Sequence, residues 1–199
     1  MTEIALATRV RQIVLADSDL AKILNILRDA GLPDWRLVSG AIYQTIWNDL
    51  TGKPQGTGIK DYDVAYFDDS DISYEAEDRQ IKRIDALLPD YPGKIEVRNQ
   101  ARVHLWFKKR FGVSYPQLSC SDNSLDYYMC PTHAIAVRLE LDDTLSIAAP
   151  FGLEDIFNML VRPNPMRLGS RNAYEEKADR MKQVWPELTI QPWIDQIVV

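Results

Sequence analysis

At 199 residues the chain is long enough for one domain with its own core, since a fold of this size buries roughly 70% of the surface of its unfolded chain. Its 46% hydrophobic and 26% charged residues are ordinary for a soluble protein, no run approaches the ~20 apolar residues of a membrane span, and MTEIALATRV at the N-terminus has no signal-like apolar stretch. A net charge of −6 disfavours a long nucleic-acid partner, and the two cysteines, Cys120 and Cys130, form no disulfide framework, which suits a reducing cytoplasm.

Residues 18–31 read as a helix, with Ser18 as N-cap, a stripe of Leu20, Ile23, Leu24 and Leu27, and Gly31 as the stop. Trp35 to Val38 form a short buried strand running into Ser39, Gly40 and Ala41, after which 42–50 resumes helical spacing. TGKPQGTG over 51–58, with three glycines and a proline, is a loop. KDYDVAYF is a strand closed by a solvated acidic turn at 68–71, and a helix over about 74–88 carries Ile81, Ile84 and Leu88, ended by Pro89 and the Tyr91–Pro92–Gly93 turn. KIEVR is a further strand, and 100–111 a helix. VRLELDD and LSIAA pair as a hairpin around Asp142 and Asp143. Two helices follow, over 152–161 and about 172–185, the second with Tyr174, Ala178, Met181 and Trp185 on one stripe. The alternation of strands and helices predicts an α/β or α+β domain with a helical C-terminal extension.

The informative segment is Lys60–Asp61–Tyr62–Asp63–Val64. Strand residues two apart share a face, with α-carbons about 6–7 Å apart, so both aspartates converge on a common point while Tyr62 and Val64 face the core. Like charges held this close repel unless a cation or water screens them, and hard oxygen ligands suit Mg²⁺ or Mn²⁺. A solvated edge strand produces the same pattern. Glu96, between Ile95 and Val97, lies on a second strand of this type. If the two strands are neighbours, a third carboxylate joins the face, and three can hold two cations about 3.5–4 Å apart. The strand–helix turn at Ser39–Gly40 offers backbone N–H groups and a helix dipole to a phosphate. Arg98, in phase with Glu96, is a candidate for triphosphate or an acidic acceptor, with salt bridging as the alternative. Asn99, Arg102 and His104 follow it; a lone histidine among aromatic neighbours reads as structural. Lys108, Lys109 and Arg110 read as a solvated helix face, and Trp47, Trp106 and Trp185 as core.

A strand ending at glycine, a helix, an Asp-x-Asp strand, a helix and a strand bearing a third acid, in that order, resembles the DNA polymerase beta-like nucleotidyltransferase superfamily. The resemblance implies a nucleotidyltransferase fold, a small mixed sheet flanked by helices, as a single domain over 1–199 with its core at about 18–150 and the extension at about 151–199. It implies Gly40, preceded by Ser39, for the triphosphate, and Asp61, Asp63 and Glu96 as metal ligands. SGAIYQTIWNDLTG, IKDYDVAYFD, IEVRNQARVHLWF and FGLEDIFNMLVRPNP more closely resemble a bacterial family of nucleotidyltransferase-like proteins of unassigned substrate. Two departures from the superfamily stand out: Ala41 replaces its usual Ser or Gly, and the 51–58 loop lengthens the gap from Gly40 to Asp61. The expected activity is metal-dependent transfer of a nucleoside monophosphate from a nucleoside triphosphate to a hydroxyl acceptor. The alternative is an inactive nucleotide-binding or regulatory module of the same fold.

Overall fold

A computed structural model of the chain describes residues 1–88 and 94–194. Five short strands form one mixed sheet: β1 (Arg36–Val38), β2 (Asp61–Tyr66), β3 (Lys94–Asn99), β4 (Ala136–Leu139) and β5 (Leu145–Ala148), in the spatial order β3-β2-β1-β4-β5. Only β2 and β3 are parallel, as their connection through helix α4 (Tyr74–Leu87) requires; the other neighbours run antiparallel. The Pro89 stop and the Tyr91–Pro92–Gly93 turn lie outside the described residues.

Alternation along these strands gives the sheet two unlike faces. Leu37, Tyr62, Val64, Tyr66 and Val97 enter the main core, where α2 (Ser18–Ala30) contributes Leu20, Ile23, Leu24 and Leu27, and α3 (Gly40–Thr51) contributes Ile42, Ile46 and Trp47. Each such side chain, fully buried, stabilises the fold by about 1.5–3 kcal/mol. Val38, Ala65 and Ala136 point the other way, into a small cluster with Leu125 and Ala134. Asp61, Asp63, Glu96 and Arg98 share this second, thinly covered face.

Several boundaries differ from the sequence reading. A further helix, α1 (Glu3–Ala16), precedes α2 and buries Leu6, Val10, Ile13 and Val14. Asp17, not Ser18, caps α2, its Oδ1 accepting from the backbone N–H of Asp19 and Leu20 at 3.1 and 3.0 Å. The predicted helix over 100–111 begins as a 3₁₀ turn at Gln100–Arg102 before α5 (Val103–Phe111). The helix expected over 152–161 is helical only at α6 (Glu154–Phe157). Met159 takes a positive φ of 51°, and β6 (Leu160–Val161) pairs in parallel with β7 (Thr189–Ile190). Strand partners for the Met159 and Val161 carbonyls, which accept from Thr189 and Gln191, outweigh the helical spacing there. Among the described residues, no helix is long and apolar enough to cross a membrane.

α7 (Arg171–Val184) carries the C-terminal part back onto α3. Met181 and Trp185 are buried, Trp185 meets Trp47 edge-on at 5.2 Å, and the Trp185 indole N–H donates to Asn48 Oδ1 at 3.1 Å. Asn48 in turn donates to the Thr57 carbonyl at 3.0 Å, so one buried amide ties α3, α7 and the 51–58 loop together. Gly58 adopts φ +79° directly under Trp185, where a Cβ would lie 2.4 Å from the indole Cη2.

At the opposite end of the sheet, buried Glu77 of α4 accepts from the Asn99 backbone N–H at 2.8 Å and pairs with Arg102. The Asn99 side chain bonds the Asp68 backbone through both N–H and C=O. These contacts fasten the C-terminal ends of β2 and β3 to each other and to α4. Removing one partner strands a buried charge. Glu77→Ala is accordingly expected to cost about 3–5 kcal/mol in chemical denaturation. Gly58→Ala, which drives a methyl group into Trp185 at a left-handed φ, is expected to lower stability by about 1–3 kcal/mol in the same assay.

Candidate active site

The parallel pairing of β2 with β3 builds the site. Asp61 lies opposite Lys94, Asp63 opposite Glu96 and Ala65 opposite Arg98, while β1 places Val38 opposite Asp63 from the other side. Val38, Asp63 and Glu96 thus form one row across three strands, at the usual spacing of about 4.8 Å between neighbours. Ser39 and Gly40 continue directly from the end of that row.

Charge on this row is unevenly balanced. Burial, then the charges of Asp61 and Glu96, push the half-buried Asp63 carboxyl up to about 6, against the opposing pull of Lys177 and Arg98. Glu96 is held below its ordinary range, chiefly by a hydrogen bond from Lys94 Nζ on the same strand face. That contact occupies one oxygen of the carboxylate, Oε1, and among the described residues no group of three or more His, Cys, Asp and Glu side chains is assembled to hold a metal ion. The donors nonetheless fit a hard divalent cation in kind: all are carboxylate oxygens, and the negative charge that raises Asp63 is what such an ion would neutralise. Lys94 engages Glu96 Oε1, so Oε2 is the oxygen an ion would take.

Ser39 is the strained residue of the turn. It is buried, with φ 58° and ψ −116°, a region costing a non-glycine residue of order 1–3 kcal/mol, and its side chain makes no capping bond to α3. Its backbone N–H donates to the Ile135 carbonyl at 2.8 Å, which pins the turn to the segment entering β4. Gly40 opens α3, and a Cβ there would come within 3.1 Å of Gln44 Nε2. Ala41 is 1% exposed and packs in the main core, so any phosphate contact from this turn falls to backbone N–H groups and Ser39. Gln44, Gly58, Lys60, Asp61, Arg180 and Trp185 line a cavity of about 140 Å³ beside the turn. The long gap between Gly40 and Asp61 therefore forms a wall of this cleft, fixed to α7 through Trp185.

Of the residues following Glu96, Arg98 lies on the carboxylate face, whereas Asn99 and Arg102 hold the fold through Glu77 and Asp68. His104 is half-buried on α5. Trp47 and Trp185 are core as expected, but Trp106 is only half-buried and lines a separate aromatic cavity. Lys177 was not marked by the sequence reading. Its charge acts on Asp63, and its place three residues after Tyr174 and four before Met181, at the border of the buried stripe of α7, is the signal the sequence offers.

A family model described as nucleotidyltransferase matches residues 25–190. A search of curated proteins gave no match. Among solved structures, an NMR structure described as revealing a CCA-adding enzyme head domain is 28% identical, with a TM-score of 0.72 over 94% of this chain and 96% of that one. A CCA-adding enzyme in complex with CTP is 12% identical, with a TM-score of 0.49 over 92% of this chain and 43% of that one. A tRNA nucleotidyltransferase complexed with a primer tRNA and an incoming ATP analog is 16% identical, with a TM-score of 0.45 over 85% of this chain and 46% of that one. The chain thus spans less than half the length of these last two proteins. With its ordered acidic strands, mixed sheet and strand–helix turn all within the matched region, the chain belongs to the nucleotidyltransferase family.

Proposed function

We propose that the protein transfers a nucleoside monophosphate from a nucleoside triphosphate to the hydroxyl of an acceptor, using Mg²⁺ or Mn²⁺ held by Asp61, Asp63 and Glu96. The observation that carries this reading is the register of Asp63 against Glu96, with the Asp63 carboxyl raised to about 6 by burial and its acidic neighbours. The likeness to a structure described as a CCA-adding enzyme head domain supports nucleotidyl transfer as the reaction class. The two free cysteines suit a reducing cytoplasm.

In this reading the triphosphate lies with its β- and γ-phosphates at Ser39 and Gly40, where the first N–H groups of α3 and the cations Lys60 and Arg180 receive them. Lys177 and Arg98 flank the α-phosphate. The divalent ion, when bound, supplies positive charge that polarises the α-phosphate and lowers the pKa of the attacking hydroxyl. The acceptor oxygen bonds to the α-phosphorus, the bond to pyrophosphate breaks, and Glu96 receives the hydroxyl proton. Rate enhancement comes mainly from positioning and charge neutralisation. The ion pair between Lys94 and Glu96 favours a second reading, a module that binds nucleotide without transferring it. Metal-dependent release of pyrophosphate separates the two.

Asp61→Asn and Asp63→Asn are each expected to reduce Mg²⁺-dependent pyrophosphate release by about 100-fold or more while the protein stays folded. Undiminished release by both variants would overturn the assignment of the ligands. A second expectation concerns pH. In the metal-free protein Asp63 retains its proton up to about 6, while the unfolded chain releases it near its ordinary 3.8, so the folded state binds more protons in that window. Its contribution to stability is therefore full below pH 3.8 and is lost as pH rises through about 6. The loss is on the order of 3 kcal/mol. Asp63→Asn should remove this dependence and stabilise the metal-free protein at pH 7, and Mg²⁺ should raise the Tm of the wild type at pH 7 but not of the variant. Thermal melts across pH 4–8, with and without Mg²⁺, read both effects.

A further inference from the structure

Beside the carboxylate face lies a larger cavity, of about 440 Å³, that the chemistry above does not use. Its walls are aromatic. Phe107 of α5 sits 4.6 Å from Phe111 and 4.7 Å from Tyr115, Tyr115 continues to Tyr127 at 5.5 Å, and Trp106 adjoins Phe107 at 6.0 Å. Phe111 is 52% exposed, and Trp106 and Phe107 are only half-buried, so these rings leave apolar surface in water around an open space. Such a cavity, apolar with few polar groups and between about 300 and 1,000 Å³, has the character of a small-molecule site.

Two of its lining residues reach the reaction centre. Arg98 lies two residues from Glu96 on the same face of β3, and Tyr128 packs against the cluster of Val38 and Ala65 on that face. Ala173, in the first turn of α7, also lines the cavity. Two turns further along the helix, Arg180 lines the small polar cleft with Lys60, Gln44 and Asp61. Along β2 and β3 the order is therefore the cationic cleft at Asp61, the Asp63–Glu96 pair, and the aromatic cavity at Arg98. In an in-line displacement the attacking and leaving oxygens lie on opposite sides of the phosphorus. With pyrophosphate leaving toward Lys60 and Arg180, the attacking hydroxyl must approach from the aromatic side.

Resting on the nucleotidyl-transfer reading, we propose that this cavity is the acceptor site and takes a small molecule with a planar aromatic ring, seated among Trp106, Phe107, Phe111 and Tyr115, whose hydroxyl emerges past Arg98 toward Glu96. Ring faces recognise a ring by stacking without needing many hydrogen bonds. The volume admits one or two fused rings, and the chain's net charge of −6 favours a free small molecule over a polynucleotide end.

The test is two-dimensional NMR of the full chain, following the Trp106 indole resonance with benzyl alcohol and 2-naphthalenemethanol as aromatic probes and glycerol and ribose as polyol controls. Metal-dependent pyrophosphate release is measured in parallel with the same alcohols. The aromatic alcohols are expected to shift Trp106 saturably and the polyols to leave it unmoved. Ala173→Phe, which fills the cavity from an exposed helical position without removing any group, should weaken ring binding roughly tenfold or more. Absence of any shift, or equal shifts from polyols, overturns the inference. So does ATP alone shifting Trp106 and competing with the aromatic alcohols, since the cavity would then hold the nucleobase. Ring binding without pyrophosphate release to any alcohol would count against the transfer reading on which the acceptor role rests. Release to glycerol that Ala173→Phe leaves undiminished would keep that reading and overturn the acceptor assignment.

Discussion

The parallel register between β2 and β3 is the constraint on which the rest of the site depends. A slip of one residue would turn Asp61 and Asp63 into the main core and Tyr62, Val64 and Tyr66 out of it, so burial of those apolar side chains also fixes which way the carboxylates point. The register is reinforced at its end by Glu77, Asn99 and Arg102, which bind α4 to the C-terminal ends of the two strands. The acids are thus placed by the hydrophobic face behind them and by a buried ion pair beyond them, and their own contacts do little to hold them there.

That placement carries costs concentrated in a small region. Asp63 is kept partly out of water beside two other carboxylates, and Ser39, at the end of the same row, occupies a backbone region that glycine would enter freely. Lys177 and Arg98 offset part of the repulsion at Asp63 without cancelling it. A folded state that tolerates both features draws its stability from elsewhere, notably from the cores around α2 and α3 and from α7 locked through Trp185, Asn48 and Gly58. Such concentration of strain and unbalanced charge is characteristic of sites shaped by what they bind.

Much of the frame was legible in the sequence because it rests on local signals. The alternation of KDYDVAYF and KIEVR, the stripe of α2 and the Gly31 stop, and the hairpin at Asp142–Asp143 all depend on period and turn chemistry, and the strands and helices form there. The order of turn, paired acids and third acid led to the family that the comparisons then showed. What was not legible depends on contacts between distant segments. Lys177 gains its position only when α7 folds back onto α3, and β6 replaces the second half of a helix only because β7, almost thirty residues on, offers it a partner. The 51–58 loop shows in the sequence only as a longer gap between Gly40 and Asp61, and its packing appears once Gly58 is seen beneath Trp185. Trp106 has core-like spacing, and only the fold shows that it lines an open cavity instead. Asp17 escaped because it and Ser18 are both good caps, and the choice between them depends on which side chain reaches the first turn.

The central claim is that Asp61, Asp63 and Glu96 together hold divalent metal against a nucleoside triphosphate. It is tested most directly by crystals grown with Mn²⁺ and a triphosphate analogue that cannot be cleaved between its α- and β-phosphates, with the ions located by anomalous scattering. Manganese peaks are expected beside Asp61, Asp63 and Glu96, with the terminal phosphates at Ser39 and Gly40. Manganese bound away from these acids, or nucleotide bound with no ion beside Asp63, would contradict the claim.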